Sequence, residues 1–349
     1  LQKTRAFIRE FSNKIKREKG AKRESLRRKL QCQRDLAIQL EIQINAQLFD
    51  EARVIVCTLV GSANRLLNGK IFSTLFIDEA AQALEAACWI AISKAKRVVL
   101  AGDHCQLPPT IKNYEAARGG LNCTLLQKII QRKPETVSML DVQYRMHESI
   151  MRFPSNWFYE GRLLASPEVS HRNILEYDTP IEWFDTTLCE FSENQISETG
   201  GRINKPEAEL LVNQLQCYVE KIGIDRILDE NIDFGLISPY RIQVQCIRHI
   251  MKQNRFFIPL RKHITIHTVD GFQGQERDVI FISLVRANDD GNIGFLNDLR
   301  RMNVAITRAR MKLIILGDAN TLTRHPFYKA LYEYIRKEGR VVEIQPNEG

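Results

Sequence analysis

The sequence predicts an α/β protein of two domains preceded by a pair of helices, and three observations lead to that class. Short apolar runs that end in polar residues alternate with helical stretches, which is the pattern of βαβ units in a parallel sheet. The chain has 349 residues, enough for two domains of roughly 150 residues each. Its N-terminal segment instead repeats apolar residues every fourth position, as amphipathic helices do.

The N-terminal segment, residues 1–50, is predicted to form a helical hairpin that we call the stalk. Apolar residues recur at Phe7, Phe11 and Ile15 and again from Leu26 to Leu48, with Gly20 between the two series. A hairpin of this size has too thin a core to stand alone and needs something to pack on. Residues 1–34 hold 13 Lys and Arg against three Glu, while the whole chain carries +8. A basic arm suits a nucleic-acid partner, and it is equally typical of a solvated helical face.

Strands are predicted where apolar runs of about five residues are bounded by polar ones. In the first domain, residues 51–140, the runs are 53–57, 73–77 and 97–101, and a further run at 137–142 leads into the second domain. In the second domain, residues 141–349, they are 181–184, 234–238, 264–267, 279–283 and 313–316. Helices are predicted at 82–93, 205–221 and 240–254. The polar stretch 187–202 predicts a mobile surface loop.

Composition excludes several classes of protein. No apolar run reaches the roughly 18 residues that a membrane span needs, and the N-terminus lacks the apolar centre of a secretory signal. The eight cysteines are scattered and never fall at the short spacing of a zinc site, so we expect reduced, structural thiols. A soluble cytoplasmic protein, or a nuclear one in a eukaryote, is the expectation.

Two adjacent carboxylates, Asp78 and Glu79, follow the apolar run 73–77. In an open α/β sheet ligands bind beyond the carboxyl ends of the strands, so acids at that point are directed at a ligand. One acid can hold a hard cation such as Mg²⁺ while its neighbour polarises an attacking water. The alternative is that both acids cap the helix that follows, since Asp and Glu are favoured in a first turn.

Five motifs taken together resemble those of the superfamily 1 helicases, in the branch of the up-frameshift nonsense-decay helicase and the immunoglobulin mu-binding helicase. The match runs from about residue 52 to residue 317 and implies two RecA-like domains that clamp ATP between them. The motifs, in chain order, are Asp78-Glu-Ala-Ala-Gln82, Gly102-Asp-His-Cys-Gln-Leu-Pro-Pro109, Gln143-Tyr-Arg-Met-His147, Thr268-Val-Asp-Gly-Phe-Gln-Gly-Gln-Glu276 and Arg300-Arg-Met-Asn-Val-Ala-Ile-Thr-Arg-Ala-Arg310.

The resemblance implies a catalytic set. Asp78 would hold Mg²⁺, Glu79 would act as the general base, and Gln106 would sense the γ-phosphate if its neighbours keep its loop stiff. Arg145 and Arg308 resemble the two second-domain arginines that reach the γ-phosphate, where fixed planar cations stabilise charge on the transferring phosphoryl group. An ordinary loop amide for Gln106 and surface salt bridges for the arginines are the alternatives.

The resemblance also implies contacts to the rest of the nucleotide and to nucleic acid. Tyr144 matches the aromatic residue that stacks on adenine, and Gly274 and Glu276 match positions that contact phosphate and ribose. Gln273 and Asp270 are expected to stabilise their own loop, and Arg300 and Arg301 to pair internally. Single-stranded DNA or RNA would cross both domains, with the protein a monomer that moves 5′ to 3′. The contact residues implied are Thr58, Ser62, Ser238, Pro239, Tyr240 and Thr268.

The departure from the family is the phosphate loop. No Gly-x-x-x-x-Gly-Lys-Ser/Thr occurs, and Gly69-Lys70 is followed by Ile71 and precedes a predicted strand. In the family this loop lies N-terminal to the stalk, so the first domain is expected to be incomplete and the chain to be the C-terminal part of a longer helicase. Two alternatives stay open, an inactive helicase-like scaffold that binds nucleic acid or protein, and a nuclease or other metal hydrolase built on the acids.

Overall fold

The structure is a computed structural model, and it describes residues 1–17, 19–196 and 201–346. The chain divides into two compact units. Unit 1 comprises Leu1–Ala101 with Glu115–Leu125, and unit 2 comprises Gly102–Tyr114 with Leu126–Gly349. The domain boundaries expected from the sequence, after residues 50 and 140, stay predictions.

The stalk of unit 1 contains the two helices that the apolar repeats predict, α1 (Gln2–Arg17) and α2 (Gly20–Glu51). Gly20 has φ +62°, a left-handed conformation that glycine adopts without steric cost, at the turn between them. Ile15, Leu30 and Ala37 are buried. Much of the remaining apolar surface of α2 is exposed, in keeping with the expectation that the stalk needs something to pack on.

The sheet of unit 1 has two parallel strands within the described residues, β1 (Phe72–Ile77) and β2 (Ala95–Leu100), joined through α3 (Glu85–Ile92). The strand predicted at 53–57 was wrong. That segment is irregular and exposes Val54 and Val56, because no neighbouring strand among the described residues supplies hydrogen-bond partners to its backbone. The helix predicted at 82–93 begins later, since Ala80–Gln82 form a 3₁₀ turn.

Unit 2 is built on a six-stranded sheet in which all neighbouring strands are parallel. The strand order is β12 (Arg340–Glu343), β5 (Ile181–Asp185), β11 (Ala309–Gly317), β10 (Arg277–Ser283), β8 (Phe234–Ser238) and β9 (Ile264–Thr268). The five strands predicted for the second domain are confirmed, whereas β12 was not predicted. The run 137–142 was wrong, since only Val142–Gln143 pair, in a small sheet with β4. The remaining strands are β3 (Val142–Gln143), β4 (Leu164–Ala165), β6 (Asn194–Gln195) and β7 (Arg202–Ile203).

Helices cover both faces of this sheet. Val279 and Phe281 of β10 point into one core with α7 (Lys205–Ile222) and α9 (Arg241–Gln253). Ile280 and Ile282 point into the other core with α6 (Glu148–Phe158), α11 (Leu299–Ile306) and α13 (Pro326–Glu338). Strands buried on both faces read as continuous apolar runs, which is why these strands were readily predicted. The remaining α-helices are α4 (Tyr114–Ala116), α5 (Leu125–Arg132), α8 (Ile224–Glu230), α10 (Val269–Phe272) and α12 (Ala319–Leu322).

Parallel pairing gives the sheet two chemically distinct edges. The strands all begin at one side, which we call the amino edge, where Glu276 precedes β10 and Arg308 precedes β11. They all end at the other side, the carboxyl edge, where Ser238 closes β8 and Thr268 closes β9. The short helix α10 lies on the connection that runs from one edge back to the other.

The stretch predicted as a mobile surface loop is partly structured where it is described. β6 and β7 pair antiparallel, and Glu193 is buried in an ion pair with Arg286, at 2.6 Å. Residues 197–200 of the predicted loop lie outside the described residues. Within the described ranges, no helix combines the length and the apolar character needed to cross a membrane.

Candidate nucleotide and nucleic-acid site

Asp78 and Glu79 stand where the sequence places them, at the carboxyl end of β1, with exposed side chains. Glu79 has φ +51°, an uncommon conformation for a residue with a side chain. Asp78 Oδ1 accepts a hydrogen bond from the Glu79 backbone N–H at 2.9 Å, and Gln82 Nε2 donates to Glu79 Oε2 at 2.8 Å. The turn therefore holds two hard oxygen donors at the strand end, which is the donor set that Mg²⁺ prefers.

Glu79 stands at the N-cap position of the 3₁₀ turn Ala80–Gln82, but its side chain makes no capping hydrogen bond there. The N-cap of α3 is Leu84, and neither acid accepts a capping hydrogen bond from that helix. Lys70, the other residue considered for phosphate binding, instead pairs with Asp50 at the end of α2, at 2.5 Å. It therefore serves to join the stalk to the start of β1.

Gln106 lies in a loop that unit 2 holds firmly. Its Nε2 donates to Asp103 Oδ2 at 2.8 Å, and the same carboxylate oxygen accepts from Tyr159. The loop carbonyl of Cys105 accepts from Asn303 Nδ2 of α11 at 3.0 Å. Leu107 is buried in the apolar core of the unit, so the loop is anchored on both sides of Gln106.

The same loop contains a group of potential metal ligands, Asp103, His104 and Cys105, with ligand atoms within 4.8 Å of one another. Burial, followed by the nearby Asp103 carboxylate, raises the pKa of the Cys105 thiol to about 11. Because a metal is bound by the thiolate, a thiol that stays protonated is a poor ligand. Asp103 is also committed to Gln106 and Tyr159, so this group supports the loop and carries no metal assignment.

Arg145 is anchored at the amino edge but keeps part of its guanidinium open. Its Nε donates to Glu276 Oε2, and its Nη1 donates to the carbonyl of Thr307 at 3.0 Å. The side chain is 33% exposed, and Nη2 makes no hydrogen bond within the described part of the chain. A cation held by two points with a free donor face is suited to bind an anionic ligand.

Arg308 is placed differently. It is only 3% exposed. Its three guanidinium nitrogens donate to Val304 O, Gln275 O and Thr307 Oγ1, at 3.0, 3.0 and 3.1 Å. The predicted pair of arginines is thus brought to the same edge, but in this conformation only Arg145 presents its charge to solvent.

The predicted nucleotide contacts gather at the same edge. Tyr144 is 66% exposed beside Arg145, as a stacking residue requires. Gly274 is exposed with φ +74°, and no atom lies within 4 Å of the position where a Cβ would stand, so its backbone is approachable. Glu276 Oε2 is engaged by Arg145, and its Oε1 by an arginine that the sequence analysis gave no role.

That arginine is Arg310, the last residue of the fifth motif. Its Nε and Nη2 donate to Glu276 Oε1 at 2.9 and 2.7 Å, and its Nη1 donates to Asp278 Oδ1 at 3.2 Å. Burial raises the pKa of the Glu276 carboxyl, but hydrogen bonds from Arg310 and Arg145 outweigh it and hold the pKa below its ordinary value. The signal that the sequence offered for Arg310 was its place in the fifth motif, at the start of the strand that pairs with β10.

The residues predicted to contact nucleic acid differ in how far their side chains are exposed to solvent. Thr58 is exposed, and Pro239 and Thr268 are partly exposed. Ser62, Ser238 and Tyr240 are buried, and the Ser62 hydroxyl donates to the Leu59 carbonyl at 2.5 Å. For these three, contact with a strand in this conformation is limited to the backbone.

Beneath the carboxyl edge lies a buried polar network centred on Glu207 of α7. Ser283 Oγ and the Val285 backbone N–H donate to Glu207 Oε1 at 2.6 and 2.9 Å. Oε2 makes no hydrogen bond within the described part of the chain. Burial raises the pKa of Glu207 to about 7, against the lowering effect of these two hydrogen bonds.

The remaining motif residues have structural roles. Arg300 and Arg301 both pair with Asp298, at 2.8 and 3.4 Å, so the expected internal pairing is confirmed. Gln273 adjoins α10 and has a buried Nε2 with no hydrogen-bond partner in the described residues. The loop-stabilising role expected for Gln273 and Asp270 therefore stays a prediction.

With this geometry established, comparison with known proteins gives two family matches. Both families are described as AAA domain, and they match residues 2–114 and 121–320. The chain therefore belongs to the class of proteins with AAA domains. More narrowly, it belongs to the superfamily 1 helicases of the up-frameshift type, as the sequence motifs predicted.

Curated relatives agree with this assignment. The chain is 34% identical over 343 residues to the DNA-binding protein SMUBP-2 of Rattus norvegicus, covering 93% of this chain and 33% of the relative. It is 37% identical to the DNA polymerase alpha-associated DNA helicase A of Saccharomyces cerevisiae, covering 81% and 45%. It is 35% identical to the regulator of nonsense transcripts 1 homolog of Neurospora crassa, covering 88% and 29%. The chain thus spans less than half the length of these relatives.

Similarity to solved structures is weaker. An arterivirus nonstructural protein 10 helicase in complex with DNA matches with a TM-score of 0.36 and 14% identity, over 74% of this chain and 42% of that one. The C-terminal domain of a possible DNA helicase from a Lactobacillus matches with a TM-score of 0.29 and 11% identity, over 50% and 88%.

Proposed function

We propose that this chain is part of an ATP-dependent helicase or translocase that moves 5′ to 3′ on single-stranded DNA or RNA. The observation that carries the proposal is the amino edge of unit 2, where Arg145 keeps a free guanidinium nitrogen, within the described part of the chain, beside the exposed Tyr144 and Gly274. The cation and the approachable backbone are groups that would meet the phosphates of a nucleotide, and the aromatic ring is a group that would meet its base.

On unit 1, Asp78 would hold Mg²⁺ and Glu79 would take the proton of the attacking water. The ion would supply Lewis-acid stabilisation of charge on the phosphoryl oxygens. Gln106 would report on the γ-phosphate from its stiff loop. On unit 2, Arg145 would stabilise charge that develops on the transferring phosphoryl group, and Glu276 would contact the ribose.

Arg308 would act in the same step after a rearrangement. In the present conformation its guanidinium is buried and all three nitrogens are bonded. A nucleotide phosphate would have to compete with two carbonyls and the Thr307 hydroxyl for it. The proposal therefore assigns Arg145 the direct contact and Arg308 a contact that depends on the conformation of the unit.

Nucleic acid would bind at the carboxyl edge through Pro239, Thr268 and the backbone around Ser238 and Tyr240, and on unit 1 through Thr58. Hydroxyls and backbone amides grip phosphates without reading the bases, which suits a translocase. We propose that the protein acts as a monomer in the cytoplasm, or in the nucleus of a eukaryote.

The test is ATP hydrolysis by this chain and by the full-length gene product, each with and without single-stranded DNA and RNA. We expect the full-length protein to hydrolyse ATP with stimulation by one of the two strands. Glu79→Gln in that protein should lower kcat by a factor of roughly 10²–10⁴ while leaving nucleotide binding intact. Turnover unchanged by this substitution would rule out Glu79 as the base.

An inactive scaffold is the competing function, and the absence of a Gly-x-x-x-x-Gly-Lys-Ser/Thr sequence from this chain favours it. Its signature would be a full-length protein that binds single strands but hydrolyses no ATP. Translation that starts at Leu1 or just before it would support the same conclusion.

A further inference from the structure

We propose that Arg310 is a positioning residue that keeps the guanidinium of Arg145 available for phosphate by occupying one oxygen of Glu276. This inference rests on the proposed function, since it concerns the orientation of the arginine that would contact the nucleotide. Arg310 itself would touch neither nucleotide nor metal.

The contacts of Glu276 are the first step. Its two carboxylate oxygens are divided between two arginines, with Oε2 accepting from Arg145 Nε and Oε1 accepting from Arg310 Nε and Nη2. An isolated arginine and carboxylate favour a two-point pair in which both oxygens meet two parallel N–H groups. Arg310 prevents that pair here, because Oε1 is already taken.

The consequence for Arg145 is the second step. Glu276 holds it at Nε alone, and the Thr307 carbonyl holds Nη1. Nη2 therefore keeps its protons for a ligand. Without Arg310, Glu276 Oε1 would become available as an acceptor. Arg145 Nη2 could then donate to Oε1, and it would no longer be available to a phosphate.

The third step is that Arg310 is itself fixed. Its Nη1 donates to Asp278 Oδ1, and Asp278 is only 9% exposed at the start of β10. The Arg310 carbonyl accepts from the His147 backbone N–H at 2.8 Å, which ties the segment carrying Arg145 to β11. Arg310 thus links three segments, and its own side chain has little freedom to release Glu276.

The geometry also requires an arginine at this position. One guanidinium reaches Glu276 through two nitrogens and Asp278 through the third. A lysine ammonium is a compact charge on a flexible stem and cannot reproduce this planar fork. We therefore expect Arg310→Lys to restore only part of what Arg310→Met loses.

The first experiment measures ATP hydrolysis by the full-length gene product with single-stranded nucleic acid present. Arg310→Met should lower kcat about 10-fold to 100-fold, the range expected for a misplaced catalytic group, with KM changed less than about twofold. The kcat of Arg310→Lys should lie between that of Arg310→Met and that of the wild type. Equal kcat in Arg310→Met and wild type would overturn the proposal.

The matched control is Arg152, which also bridges two carboxylates, Glu148 at 2.6 Å and Glu338 at 3.2 Å, in the same unit. Arg152→Met removes a comparable ionic link outside the five motifs, and we expect its kcat to match wild type. If Arg152→Met and Arg310→Met lose activity in parallel, the effect is general destabilisation and the positioning role is refuted.

The second experiment needs no catalysis and uses this chain itself, labelled with ¹⁵N-arginine for NMR. In the wild type, the Nη2 group of Arg145 should rotate freely, whereas in Arg310→Met a two-point pair should slow that rotation and make its Nη protons observable. Arg145→Met identifies the signal. A spectrum of Arg145 unchanged by Arg310→Met would overturn the proposal.

The two experiments separate the two hypotheses. A full-length wild type that hydrolyses no ATP refutes the proposed function, and the NMR result then decides the Arg310 contact alone. Hydrolysis by the wild type combined with an unaffected Arg310→Met variant refutes the positioning role and leaves the proposed function in place.

Discussion

The two edges of the unit 2 sheet handle polar groups in opposite ways. At the amino edge, Arg145, Glu276 and Arg310 have side chains about one-third exposed and pair through charge. At the carboxyl edge, Glu207 and Ser283 are fully buried and pair through hydrogen bonds to one another. The same sheet thus offers solvated charges at one side and a dry polar network at the other.

The difference shows which edge can exchange its partners for a ligand. Charges in high dielectric interact weakly, so an anion can replace one partner at modest cost. A buried hydrogen bond lost without replacement costs about 1–3 kcal/mol for each orphaned group. We therefore expect side chains to bind ligands at the amino edge, and the backbone to do so at the carboxyl edge.

The largest effect should separate the two arginines within the amino edge. Arg308→Ala should lower the free energy of unfolding by roughly 3–5 kcal/mol, because it leaves a cavity and orphans the Gln275 carbonyl, while the Val304 carbonyl keeps only the Thr307 hydroxyl as a donor. Arg145→Ala should cost about 1 kcal/mol or less, since its ion pair is partly exposed. Urea unfolding measures the free energy of unfolding of both variants. Equal losses of stability in Arg308→Ala and Arg145→Ala would contradict the distinction between the two arginines.

The next effect is a pH dependence from the carboxyl edge. The pKa of Glu207 is raised from its ordinary 4.5 to about 7, so between these values the folded chain keeps a proton that the unfolded chain has lost. The free energy of unfolding should therefore fall as pH rises from about 4.5 to about 7, by roughly 3 kcal/mol from this group. The glutamine of Glu207→Gln cannot titrate. The difference in free energy of unfolding between wild type and variant should therefore disappear at low pH and be widest above pH 7.

A smaller effect is expected at Gly274. With φ +74° and no atom within 4 Å of the position that a Cβ would take, alanine would fit the space but strain the backbone. We expect Gly274→Ala to cost about 1–2 kcal/mol of stability. The Cβ would also obstruct a phosphate that approaches the backbone, so the Kd for nucleotide should rise. Unchanged nucleotide affinity would remove Gly274 from the site.

The smallest effect is expected at Ser238. Its side chain is fully buried at the carboxyl edge, and its Oγ accepts from the Tyr240 backbone N–H at 3.4 Å. Ser238→Ala should change the Kd for a single-stranded oligonucleotide by about twofold or less, because only the backbone is approachable. A tenfold loss, measured by fluorescence anisotropy, would show that the hydroxyl reaches the strand.

The sequence predicted the second sheet well because its strands are buried on both faces and read as continuous apolar runs. It failed at 53–57 and 137–142, where the composition is that of a strand but no complete partner strand lies beside it in the described ranges. A strand depends on a neighbour that can be remote in the chain, and periodicity carries no information about that neighbour.

The roles of the site residues stay predictions, and the structure adds where these residues lie and how far each is exposed. Motif order predicts that Tyr144, Arg145, Gly274 and Glu276 serve one nucleotide, and the structure brings the four residues to one edge of the sheet. Motif order cannot show that Arg308 is buried, nor that the hydroxyls of Ser62 and Ser238 face inward, since burial is set by packing from distant segments. Arg310 was missed because its role depends on Glu276, a residue 34 positions away.

The two-stranded sheet of unit 1 has a consequence for how the molecule responds to denaturant. Each of its strands is an edge strand, and Phe76 of β1 is 71% exposed while Trp89 of α3 is 52% exposed. Backbone amides there should exchange with deuterium faster than those of β10, which is buried between two helical layers. Unfolding need not then be a single transition. The fully buried Trp183, whose indole N–H donates to the Gly317 carbonyl at 3.0 Å, lies in unit 2 and would report the later loss of its core.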